Sequence, residues 1–172
     1  MSLRLDKLDI ATLNLLQINN LATAEQLSGT LPLSPSAITR RIRRLRDEGA
    51  IERDVSILSP DFFERRLRVL IHVQLRDHGD VPALRKLWSE LAASSEVQSC
   101  FEVTGGFDLA VIVVTRDVAE LNQITETLLV ANAAVLRFEM SFIKREIKNV
   151  TSLRLGEEDA ELRTERLAFS AS

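Results

Sequence analysis

The chain has 172 residues, 45% of them hydrophobic and 27% charged, with a formal net charge of −3, which suits one large or two small globular domains. A single cysteine, Cys100, excludes an internal disulfide framework, and the longest apolar runs, such as Leu109–Val114, fall far short of the ~20 residues that span a bilayer. Net charge is +1 through Arg66 and −4 beyond it, so two domains are expected and the N-terminal one is suited to an anionic partner.

Leu5 and Leu8–Leu16 (LDKLDIATLNLL) have helical apolar spacing, and Thr23–Leu27 (TAEQL) reads as a short second helix with Thr23 as N-cap. After a brief turn at Leu31–Leu33 comes SPSAITRRIRRLRDEGAI, from Ser34 to Ile51. Ser34 is placed to cap free N–H groups, Pro35 sits at the first helical position and Gly49 is a left-handed C-cap. Ile38, Ile42 and Leu45 form one apolar stripe. Ser36, Arg40, Arg43, Arg44 and Asp47 lie opposite, flanked by Thr39, Arg41 and Arg46. The acidic residues come only at the end of the run, so the arginines read as lacking regular i, i+4 partners and as awaiting an anion. Three helices with a basic last one make a helix-turn-helix of winged type over residues 1–51, with double-stranded DNA as partner. Residues early in a recognition helix enter the groove first, so Ser36, Thr39 and Arg40 are expected at base edges, and the capping Ser34 is counted with them among the DNA-binding residues. Arg41, Arg43, Arg44 and Arg46 are expected on phosphates.

Alternation of Ile51, Arg53, Val55 and Ile57 predicts a linker strand ending at Ser59–Pro60, within a hinge over residues 52–66. A domain over 67–155 follows. Leu67–Leu75 alternates strictly as a half-buried strand that places His72 on a sheet face. Val81–Ala93 is an amphipathic helix whose Trp88 reads as core. Val97–Val103 and Phe107–Val114 form a hairpin about Gly105–Gly106, and Cys100 is read as a packing residue with no basic partner for thiol chemistry. Asp117 caps a second helix carrying Val118, Leu121, Thr125 and Leu128, and Val135–Lys148 supplies a long final strand. The order βαββαβ implies a ferredoxin-like sandwich, hence an α+β chain. Its uncovered sheet face, partly apolar through Leu70, Ala110 and Ile112, calls for a second sheet in a symmetric dimer. Residues 156–172 form an acidic tail with no assigned function. Met1–Lys7 lacks the apolar core of a secretion signal, and a cytoplasmic location is expected.

The run Ser34–Ile51, the opening LDKLDIATLNLL and the later VTGGFDLAVIVV, in that order, resemble the Lrp/AsnC (feast/famine) family of transcription regulators. The signature S-x-x-x-x-x-R-R-I-x-x-L-x-x-x-G-x-I carries the resemblance most specifically. The resemblance implies a homodimer that reads a pseudo-palindromic operator and assembles further into tetramers or octamers. It also implies a C-terminal domain that binds an amino acid or related metabolite near the glycine hairpin, at contacts between dimers. On matching positions this points to Thr104, Gly105, Gly106, Phe107 and Asp108, with Ser141 from the last strand. Glycines admit a small zwitterion close to the backbone and Asp108 suits its ammonium; equally, Gly105–Gly106 reads as a plain tight turn and Asp108 as its stabiliser. Pro32 stands where the family usually has glycine, which puts the turn geometry in question. The competing reading is a sirohaem decarboxylase on the same two-domain scaffold. That chemistry needs histidine and arginine converging on a cleft, and here the hairpin is polar only at Asp108 while His72 and His78 lie on or just after one strand. No enzyme, metal or cofactor is expected.

Overall fold

The computed structural model describes residues 2–163, which divide into two compact units. One holds residues 2–56 together with residues 148–163, and the other holds Ile57–Ile147.

In the first unit, α1 spans Lys7–Ile18, α2 Ala24–Ser28 and α3 Pro35–Asp47. Each starts at a side-chain cap, because the first N–H groups of a helix have no partner of their own. Asp6 caps α1 in a capping box with Asp9, Thr23 caps α2 in one with Gln26, and Ser34 caps α3 just before Pro35. Helix α3 ends at Glu48, and Gly49 follows at φ 79°, the left-handed C-cap that its sequence position predicts. Two apolar clusters hold the helices: Leu16, Leu27, Leu31 and Ile38 on one side, Leu5, Ile10, Leu13 and Leu45 on the other.

The second cluster is closed by the distant C-terminal segment. Leu155 and Ala160 pack on it, and a three-residue ribbon pairs β1 (Ser2–Arg4) with β6 (Glu161–Arg163). The first half of the predicted acidic tail is therefore part of the N-terminal unit; its remainder, residues 164–172, lies outside the described residues. Among the described residues no hairpin strand follows α3, so the expected wing is not formed there. Residues 52–59 are irregular where the sequence predicted a linker strand, and a short helix α4 (Asp61–Glu64) follows within the predicted hinge. A strand needs a ladder partner. Val55, Ile57 and Leu58 are exposed and have none among the described residues.

In the second unit, β2 (Leu67–Leu75), β3 (Val97–Glu102), β4 (Leu109–Thr115) and β5 (Val135–Phe142) form an antiparallel sheet in the order β3-β4-β2-β5, the ferredoxin-like arrangement. Helices α5 (Val81–Ala93) and α6 (Val118–Thr125) cover one face, and α6 continues through a wide turn over Glu126–Val130. Val69, Ile71, Val73, Leu87, Leu109, Val111 and Leu121 fill the core between sheet and helices, with Trp88 packed partly buried at its margin. Strand β5 stops at Phe142 instead of Lys148 because its last ladder bond, from Ile143 N–H to the Arg68 carbonyl, reaches the start of β2 and leaves nothing beyond to pair with. Cys100 is exposed on edge strand β3 and is not the packing residue expected; partial burial of its sulfur and the nearby Glu102 charge push its thiol up. On the open sheet face Leu70 lies opposite Ile112, and Ala110 lies between His72 and Phe101.

Candidate nucleic-acid interface and glycine corner

The two functional regions belong to different units. Along α3, Ile38 and Leu45 are fully buried, which turns the opposite side of the helix outward. Ser34 Oγ accepts from Ala37 N–H at 3.3 Å and lies 3.2 Å from Ser36 Oγ, while Thr39 Oγ1 donates to the Pro35 carbonyl at 3.0 Å. These three hydroxyls are exposed at the start of the helix. Arg40 is exposed beside them and, among the described residues, makes no hydrogen bond or ion pair. Arg43 is 84% exposed with only a loose 3.8 Å approach to Asp47, and Arg46 pairs with Asp54 at 3.1 Å.

Arg41 and Arg44 are placed differently from the sequence expectation. Arg41 turns inward, donating through Nη1 to both Asp6 oxygens at 2.8 Å and to Asp9. Arg44 donates through Nη2 to Asp9 at 2.6 Å and through Nη1 to Glu48 at 3.3 Å. Asp9 is only 1% exposed. Burial opposes its ionisation, but bonds from Arg44, from the Asp6 backbone and from Arg41, with the Arg41 charge, hold its carboxyl below the usual carboxylate range. Two arginines assigned to phosphate thus bind the α1 cap to the recognition helix, and neither Arg43 nor Arg44 lacks an i, i+4 acidic neighbour. The long-range pairing has no local sequence signal, since Asp9 and Arg41 are 32 residues apart. Beside the network lies an open cavity of about 620 Å³, lined among others by Arg4, Arg40, Arg41 and Arg44.

In the sheet unit, Thr104, Gly105 and Gly106 are exposed at the tip between β3 and β4, with Phe107 and Asp108 half-buried at its base. Asp108 Oδ2 accepts from Leu75 N–H at 2.7 Å and Oδ1 lies 2.9 Å from His78 Nε2. The Leu75 bond, then the His78 bond, keep the Asp108 carboxyl below its ordinary value. Both oxygens are therefore engaged in tying the hairpin to the end of β2, the stabilising role that the sequence left open. Phe107 lies against His72, ring centroids 5.2 Å apart, and under the Arg137 guanidinium at 5.1 Å. Ser141 pairs with Leu70 on β5, three residues along β2 from Val73, whose carbonyl accepts from Asp108. That is about 10 Å along the strands and two strand spacings across, so one chain does not bring Ser141 to the corner.

Gly105 sits at φ 139°, whereas Gly106 has no such φ, and a Cβ on it meets nothing within 4 Å. Gly105→Ala is expected to cost about 1–3 kcal/mol in chemical denaturation of the full chain, and Gly106→Ala less than about 0.5. Equal costs at both positions would contradict this division.

Two family models divide the chain as the domains do: the AsnC-type helix-turn-helix domain matches residues 5–46 and the Lrp/AsnC ligand binding domain residues 68–153. The chain belongs to the Lrp/AsnC family. An HTH-type transcriptional regulator of Sinorhizobium fredii is 34% identical over 148 residues, covering 86% of each chain. The leucine-responsive regulatory protein of Haemophilus influenzae is 28% identical, covering 88% of this chain and 90% of its own. Among solved structures, a transcriptional regulator of Neisseria meningitidis in complex with L-Met superposes with a TM-score of 0.78 at 33% identity, covering 87% of this chain and 96% of its own. This Lrp/AsnC member is thus a DNA-binding transcriptional regulator with a helix-turn-helix unit and a ligand-binding unit. Among the described residues, no helix is long and apolar enough to cross a membrane.

Proposed function

We propose that this regulator is a cytoplasmic homo-oligomer, a dimer assembling to tetramers or octamers, which reads a pseudo-palindromic operator and responds to an amino acid or related metabolite without catalysing a reaction or holding a cofactor. The response to an amino acid is supported by the L-Met complex of the Neisseria relative at 33% identity. The effector is assigned to Thr104, Gly105, Gly106 and Phe107, with Ser141 contributed across a contact between chains because it is remote within one chain. Asp108 holds the corner rigid for that ligand.

Ser36, Thr39 and Arg40 are assigned to base edges and Arg43 and Arg46 to phosphates. The observation that carries this is Arg40, an exposed guanidinium with no partner among the described residues, one turn from the start of a capped helix. Arg40→Ala is expected to cost about 1–3 kcal/mol on a selected operator and little on random duplex, whereas Arg43→Ala weakens both alike. Fluorescence anisotropy on the two probes decides it; an equal loss on both for Arg40→Ala removes Arg40 from base readout.

A further inference from the structure

We propose that Asp9 is a specificity-determining residue for DNA binding, acting through Arg41 and Arg44 by withholding their charge from DNA phosphate. The inference rests on the reading that the outer side of α3 faces DNA. Non-specific affinity for duplex DNA comes from cations that displace condensed counterions, each phosphate contact adding about 0.9 to the slope of log affinity against log salt. A recognition helix with five free arginines would hold any sequence tightly, and sequence preference depends on the difference between specific and random binding.

Here three carboxylates, Asp6, Asp9 and Glu48, surround the two guanidinia of Arg41 and Arg44. Asp9 is the member they share, and it comes from another helix, so its bonds both neutralise charge and fix α3 against α1. Asp6 and Glu48 each hold only one of the two arginines and are well exposed, with side chains 57% and 39% accessible. The cavity of about 620 Å³ beside Arg40, Arg41 and Arg44 leaves these guanidinia room to swing outward once the shared carboxylate is neutral. Two guanidinia against three carboxylates leave the network one charge negative; removing the Asp9 charge brings it to balance and leaves Arg41 and Arg44 each on one exposed carboxylate, which one of them exchanges for a DNA phosphate.

The test titrates the full chain against a 30-base-pair duplex of random sequence between 50 and 200 mM salt. Asp9→Asn keeps the side-chain volume and a hydrogen-bonding group at the N-terminus of α1. It is expected to steepen the salt slope by about 0.9, so that the affinity gain between 200 and 50 mM grows about 3.5-fold over the native chain. A folded Asp9→Asn variant with an unchanged or flatter slope overturns the proposal. Should the variant not fold, Arg44→Gln and Arg43→Gln decide instead. Arg43→Gln is expected to flatten the slope by about 0.9 and Arg44→Gln to leave it unchanged. Equal flattening by both overturns the withholding of charge; flattening by neither overturns the placement of α3 on phosphate, and the proposal with it.

Discussion

A chain ended after Ser152 is expected to lose DNA binding and to melt in its N-terminal unit well below the intact protein, although the removed segment lies about 100 residues beyond the recognition helix. In the intact chain the Asn14 amide donates to the Leu155 carbonyl and accepts from Leu155 N–H, both at 2.9 Å. Gln17 repeats the exchange with Leu153 at 2.8 and 2.7 Å. Leu5 N–H donates to the Ala160 carbonyl at 2.8 Å, where the β1–β6 ribbon begins. Losing the segment uncovers Leu5, Ile10 and Leu13, each now below 10% exposed. Net of the entropy recovered by the freed residues, a cost of about 2–4 kcal/mol is expected, and at 4–8 °C per kcal/mol for a unit this small the melting temperature falls by roughly 10 °C or more. The sheet unit supplies an internal control, since its core cluster ends at Phe138. Calorimetry of the truncated chain checks both units; an unmoved N-terminal transition with native DNA affinity would show the segment to be dispensable.

That dependence was not legible in the sequence, for a physical reason. Strands β1 and β6 are three residues each, too short for any periodicity, and their pairing joins opposite ends of the chain. What was legible is local. Ser34, Thr23 and Asp117 announce helix starts because capping needs a side-chain oxygen at one position, and the alternation of Leu67–Leu75 fixes which face of β2 is buried. The linker shows the limit of alternation: Ile51, Arg53, Val55 and Ile57 have strand spacing, yet a strand also needs a partner, and none pairs with them among the described residues. At the candidate site the exposure of Arg40 and Arg43 followed from helical phase, whereas the inward turn of Arg41 depended on Asp9 across the unit. The Arg43–Asp47 and Arg44–Glu48 neighbours, by contrast, were readable at spacing i, i+4. A tally of charges along the run hides them, and only pairing positions by turn brings them out.

Ile38→Ala is expected to abolish operator binding at elevated temperature without touching any DNA-facing group. Ile38 is 0% exposed at the centre of the cluster with Leu16, Leu27 and Leu31, and it is the residue through which the first turns of α3 rest on α1 and α2. Cutting it to alanine removes about 2–5 kcal/mol through lost burial and the cavity left behind. A loss in that range is a large share of the marginal stability of a unit this size, so the N-terminal transition drops by 10 °C or more while the sheet unit melts as before. Ile38→Val, which removes a single methylene, should cost only about 0.5–1.5 kcal/mol and leave binding at 25 °C unchanged. Contrast with Arg40→Ala separates two ways of losing an operator. Removing Arg40 discards a contact from a helix that stays seated, so discrimination between sequences falls at constant melting temperature. Removing Ile38 unseats the helix, so melting temperature falls and all sequences weaken together. An Ile38→Ala chain that melts within 2 °C of native would mean that α3 is held chiefly by the Asp9 bridge to Arg41 and Arg44, and that packing beneath Ser36, Thr39 and Arg40 contributes little to their placement.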